Sequence, residues 1–172
     1  MPKIETTVTM LEMRAEPLLH VPPPAIPKLM LMRAEQPSAD FYHFLYDGVG
    51  RDLAWVDRKR LSQEDLLTII HDERVAIWVA YSAGQPAGYF EVDQRALPSQ
   101  VELEYFGLLP AFRGRGLGKW LLAEAIRACW AGKPERVIVE TCTLDGPAAL
   151  PLYQKMGFAP YARLQKVIET DA

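Results

Sequence analysis

A mixed α/β (α+β) fold, with helices flanking one central sheet, is what this 172-residue sequence predicts. Three observations point there. The apolar, β-rich runs 75–81, 87–92 and 101–109 are separated only by short turns and read as a meander. Two helix-like runs precede that meander. A strand–helix–strand unit closes it over 101–142. The resulting order is β, α, α, β, β, β, α, β, α, β. A doubly wound parallel sheet would need a helix between successive strands, so that architecture is excluded.

Residues 6–13 (TTVTMLEM) form the first strand, because β-branched and apolar side chains suit a pleated surface. The segment VPPPAIP at 21–27 cannot donate to a ladder and has fixed φ at each proline. It is an extended connector, a wrapping or loose arm, and with the first strand it makes up residues 1–35. Ser38 caps a helix carrying Phe41, Tyr42, Phe44 and Leu45, and Gly48 and Gly50 end it. Ser62 with Asp65 three residues on resembles a capping box before Leu66, Leu67, Ile69 and Ile70. The meander follows, with a turn at 83–86 and a loop at 93–100. Residues 117–131 form the longest helix, stopped by Gly132 and Pro134. Residues 136–142 are a strand. Residues 147–155 are a short helix with proline in its first turn and Gly157 as its stop. Residues 158–168 end the chain as a strand pair or one long strand.

Composition narrows the function classes. The chain is 49% hydrophobic and 24% charged, enough to build one domain with a proper core over 1–172. A net charge of −3 argues against a nucleic-acid partner held by a basic surface. The opening residues lack the pattern of a signal peptide, and no apolar stretch is long enough to span a bilayer. A membrane partner is therefore not expected, and the expected location is cytoplasmic. Cys129 and Cys142 have no CxxC partner and read as reduced and buried or half-buried. His20, His43 and His71 have no metal-ligand spacing, so no metal is expected.

The chemistry concentrates in Arg113-Gly114-Arg115-Gly116-Leu117-Gly118, a glycine-rich turn between strand and helix. Backbone N–H groups and the helix dipole make such a turn an anion site, and Arg113, Arg115 and Lys119 add formal charge. A Walker loop needs GxxxxGK[ST]. Here the spacing is one short, and Trp120 stands where the magnesium-binding hydroxyl belongs. A dinucleotide fingerprint needs GxGxxG early in the chain, whereas these glycines read GxGxG and lie late. A tight packing turn accounts for one glycine but not for three with two arginines.

Residues 106–118 (FGLLPAFRGRGLG) resemble the central motif of the GNAT N-acetyltransferase superfamily, [Q/R]-x-x-G-x-[G/A], met by Arg113, Gly116 and Gly118. Downstream, ALPLYQKMGF at 149–158 resembles the family's A-x-x-L-Y-x-x-x-G-F. The resemblance covers about residues 75–160. It implies a central, mostly antiparallel sheet with two splayed strands. It also implies acetyl-CoA as co-substrate and transfer of the acetyl group to an amine by direct attack.

The resemblance carries over to particular residues. The pyrophosphate would lie on backbone N–H groups between Arg113 and Gly118, with Leu117 and Lys119 at the helix start. Pantetheine would run beside Phe106 to Leu109, and the Leu108 N–H would face the thioester carbonyl. Glu102 and Glu104 share one strand face by the period of two, and one of them would take the proton of the acceptor amine. Glu102 matches the base of the histone-acetyltransferase branch, while Glu104 lies nearer the thioester. Tyr153 would protonate the departing CoA thiolate. The family often has Asn seven residues before that tyrosine. Here the position is Gly146, preceded by Asp145, so that either Asp145 or a backbone group substitutes as the brace, or the pantetheine arm sits differently. The acceptor, a small-molecule or protein amine, is shaped by residues 38–72 and is not specified. Dimers are common in the family, leaving monomer and homodimer both open. The alternative to an enzyme is a non-catalytic acyl-CoA-binding regulatory or interaction module.

Overall fold

The computed structural model describes residues 1–170 as one seven-stranded sheet with helices on both faces. In chain order the elements are β1 (Lys3–Met13), β2 (Leu29–Arg33), α1 (Ala39–Gly50), α2 (Gln63–Ile70), β3 (Val75–Ser82), β4 (Gln85–Asp93), β5 (Gln100–Leu108), α3 (Leu117–Trp130), β6 (Arg136–Cys142), α4 (Ala149–Lys155) and β7 (Ala159–Glu169). Their order across the sheet is β2-β3-β4-β5-β6-β1-β7, and every pairing is antiparallel except β5 with β6. The mixed, mostly antiparallel sheet is as expected. No helix is long and apolar enough to cross a membrane among the described residues.

The local signals form as the residues dictate. Ser38 Oγ accepts the Phe41 N–H at 3.1 Å, and Ser62 Oγ accepts the Asp65 N–H at 3.1 Å, which starts α1 and α2. Strand alternation then divides the core. Ile77, Val79 and Tyr89 face α1 and α2, while Ala76, Ala80, Phe90 and Val92 face α3. Leu121, Leu122, Ala125 and Ile126 bury the inner stripe of α3.

One element departs from the sequence reading: the strand β2, Leu29–Arg33, lies in a stretch with no assigned element. The end of the chain takes one of its two expected forms, a single long strand, β7. The sequence reading assigned β1 no neighbours; it lies between β6 and β7, pairing with both. From there the proline arm crosses to the opposite edge of the sheet. It is fastened on the way: Leu19 O accepts from Arg127, Ile26 is buried against Ala87 and Leu117, and Pro27 O accepts from Ser82. The arm therefore wraps and is not loose.

Candidate active site

Between β5 and β6 the sheet comes apart. The two strands pair only over Gln100–Leu103 and Arg136–Val139. Beyond those residues both strands keep their outer neighbours, β4 and β1, and leave facing edges unpaired. Leu109 N–H is bonded to Ala87 O on β4 at 2.9 Å. By antiparallel alternation the Leu108 N–H therefore points the other way, into the gap. Leu109, grouped with the cofactor residues by sequence, spends its donor on the sheet instead. A cavity of about 680 Å³ fills the splay, lined by Glu102, Glu104, Gly107, Leu108, Asp145 and Tyr153 among others.

The carboxylates reach this cavity by a route that alternation did not predict. Glu91 pairs with Tyr105 and Val92 with Leu103, so Glu104 is an extra, bulged residue in β5. The bulge reverses the faces. Leu103 packs in the α3 core, whereas Tyr105, two residues on, packs with α1 and α2. Strict alternation therefore fails between Leu103 and Tyr105, yet Glu102 and Glu104 both line the cavity. The two carboxyls lie close enough to influence one another's titration. Burial, and then repulsion by Glu104, pushes Glu102 up to about 8. Burial, and then the nearby Glu91 carboxylate, also raises Glu104, with Arg58 opposing. A pair so placed retains a shared proton near neutrality.

Beneath the pair lies a buried ionic network absent from the sequence reading. Arg58 Nη2 meets Glu91 Oε2 at 2.5 Å, and Tyr42 Oη donates to Glu91 Oε1 at 2.6 Å. Glu91 has no solvent exposure. The Arg58 guanidinium also lies 5.3 Å from the centre of the Tyr105 ring. The arginine sits in a short 3-10 turn with no motif around it, which is why sequence spacing could not single it out.

On the opposite wall Tyr153 is 7% exposed. Its ring is set edge-on between Phe106 and Phe158, with centroids 6.3 and 5.8 Å away. Burial first, and the Asp145 carboxylate second, raise its pKa well above the ordinary phenol value, so the hydroxyl keeps its proton. Asp145 accepts from Thr141 Oγ1 at 2.7 Å, from the Cys142 N–H at 2.9 Å and from Trp55 Nε1 at 3.5 Å. It thus ties the end of β6 to the segment after α1, as a brace at this position would.

The glycine turn opens α3. Gly114 and Gly116 have φ of 75° and 78°, a left-handed geometry that favours glycine. A Cβ at Gly114 would meet nothing within 4 Å, and one at Gly116 only Pro24 at 3.9 Å. Gly116 is the N-cap and offers no side-chain acceptor, leaving the first N–H groups of α3 for an anion. The charged residues of the turn divide. Arg113 turns back to α1, donating to Val49 O at 3.4 Å with Asp52 at 3.9 Å. Arg115 lies over the Phe112 ring and Lys119 is exposed on α3. Leu117 is buried, and Gly118 lies against Leu108.

Known proteins resemble this arrangement. The sequence model of the acetyltransferase (GNAT) family matches residues 33–158. Over 81 residues the chain is 35% identical to N-alpha-acetyltransferase RimI of Mycobacterium tuberculosis, a match covering 46% of this chain and 49% of that protein. The chain thus spans about half the length of this curated relative. Among solved structures, a conserved protein of unknown function from Staphylococcus epidermidis superposes with a TM-score of 0.65 at 14% identity, covering 98% of this chain and 64% of that one. An aminoglycoside acetyltransferase from an uncultured soil metagenomic sample superposes with a TM-score of 0.60 at 15% identity, covering 75% and 87%. At those identities the likeness is one of fold.

Proposed function

The chain belongs to the GNAT acetyltransferase family, and on that premise we propose that it transfers an acetyl group from acetyl-CoA to a primary amine of a small molecule or protein by direct attack. The observation that carries this reading is the splay itself. One cavity joins an unpaired β5 edge, a carboxyl pair and a buried tyrosine hydroxyl.

Acetyl-CoA would supply an acyl thioester at one end and an anionic pyrophosphate at the other. The fit is supported by the space over Gly114 and Gly116 and by the uncapped N–H groups of α3. Those groups, from Arg113 to Gly118, would hold the pyrophosphate. The Leu108 N–H, free of the sheet, would donate to the thioester carbonyl oxygen. An acceptor amine is an ammonium near neutral pH and must lose a proton before it attacks. Glu104 would take that proton, while Glu102 holds the pair's shared proton. Tyr153, kept protonated by burial, would pass its proton to the departing sulfur. The similarity to an N-alpha-acetyltransferase supports a protein α-amine as one acceptor within this class.

Acetyl-CoA titration with a thermal melt tests the donor. At about 100 times its dissociation constant a ligand stabilises by roughly 2.7 kcal/mol, or about 5–11 °C here. A shift with ATP or NADH but none with acetyl-CoA would overturn the reading. Thiol release across an amine panel tests transfer. Tight acetyl-CoA binding with no release on any amine would leave a binding module in place of an enzyme.

A further inference from the structure

The last turn of α1 is fitted into β5 from both sides. A Cβ at Gly107 would lie 2.3 Å from Val49 Cγ1, and one at Gly48 would lie 2.5 Å from Leu109 Cδ2. Each glycine thus makes room for a side chain of the other element. The chain then turns through a left-handed Ala54, φ 56°, and the Trp55 N–H returns to Gly50 O at 3.1 Å. From Leu53 to Asp57 it forms one wall of the cavity, and Trp55 Nε1 reaches Asp145 beyond the end of β6. The wall is therefore hung from the end of α1.

That end has no free cation of its own. The last turn, Asp47 to Gly50, carries no basic residue, and Arg51 at the cap is bonded to Asp47. The final carbonyls of a helix lack partners within it and carry partial negative charge. Arg113 supplies a donor to them from the glycine turn. Its Nη2 donates to Val49 O at 3.4 Å, and its Nη1 lies 3.9 Å from Asp52 Oδ2. The two contacts bracket the point where the helix ends and the wall begins.

We propose that the Arg113 guanidinium is a positioning group, fastening this wall to the glycine turn, and is not a ligand of the donor's phosphates. This rests on the reading that the backbone of the turn holds the pyrophosphate. A guanidinium engaged with a helix C-terminus and a carboxylate would have to give up both to reach a phosphate. An amine that reaches Glu102 and Glu104 enters the cavity that this wall bounds. A loosened wall therefore weakens the hold on the amine and leaves the hold on CoA unchanged.

Arg113→Ala and Arg113→Lys in the whole chain test this. The side chain is 41% exposed, so both variants should fold, which a melt establishes. Arg113→Gln, too short to reach Val49, takes the place of Arg113→Ala if that variant does not fold. Calorimetric titration with CoA should give a dissociation constant within about threefold of wild type for each. Hydrogen exchange of the free chain over residues 49–57 should be about fivefold or more faster in Arg113→Ala. Arg113→Lys keeps the charge and most of the reach, and should bring that increase to about twofold or less. In thiol release with an amine from the panel that supports transfer, Arg113→Ala should raise the KM for the amine about fivefold or more. CoA binding weakened about tenfold or more in Arg113→Ala overturns the proposal and makes the side chain a phosphate ligand. Unchanged exchange over residues 49–57, or an unchanged KM, in the folded variant overturns it as well. Failure of the wild type to bind CoA overturns the donor reading instead, and exchange of the free chain still decides whether Arg113 holds the wall.

Discussion

Arg58→Met is the perturbation that most directly tests how the α1 side of the cavity is held. Arg58 is 8% exposed and Glu91 0%, so the substitution strands a carboxylate with the Tyr42 hydroxyl as its remaining close partner. Removing one member of such a pair costs about 3–5 kcal/mol, because the lone charge is desolvated without compensation. For a chain of this size that is roughly 6–20 °C in melting temperature. Urea unfolding measures the loss. The double variant Arg58→Met with Glu91→Gln, which has no buried charge, should recover at least half of the loss. A single variant within about 1 kcal/mol of wild type would refute the reasoning, as would a double variant no more stable than Arg58→Met.

Other expectations concern the chemistry. Glu104→Gln should lower turnover by about 10²–10⁴-fold in a thiol-release assay, whereas Glu102→Gln should cost far less and chiefly displace the pH profile. The reverse ranking would make Glu102 the base. Because Glu102 has a raised folded pKa of about 8, its charge destabilises above that value, and the penalty fades as pH falls toward the unfolded value. Glu102→Gln should therefore raise the melting temperature more at pH 9 than at pH 5, and an equal gain at both would disprove the burial argument. Tyr153→Phe should reduce turnover while leaving acetyl-CoA affinity within about threefold, and full activity would remove its role as an acid.

What could be read from the residue order was local. Ser38 and Ser62 cap helices because their hydroxyls meet an N–H three residues on. Gly114 and Gly116 mark a left-handed turn because few other residues adopt it cheaply. Spacing, Trp120 and the late position separated the turn from Walker and dinucleotide loops, and with Tyr153 they pointed to the family. In each case a few neighbouring residues settle the geometry, so the signal survives in the linear order.

Tertiary structure decided everything that depends on which distant segments become neighbours. Nothing near Lys3–Met13 says that β1 will lie between β6 and β7, since its pattern fits any half-buried strand. The bulge at Glu104 arises from pairing with β4, and it reverses the faces of Leu103 and Tyr105, which strict alternation would have kept alike. Arg113 belongs to the motif, yet its guanidinium is bonded to Val49. Arg58 belongs to no motif, yet it neutralises Glu91 across 33 positions. Backbone turns follow from short-range sterics, whereas charge partners and strand neighbours follow from the burial free energy of the whole chain, which no fixed spacing records.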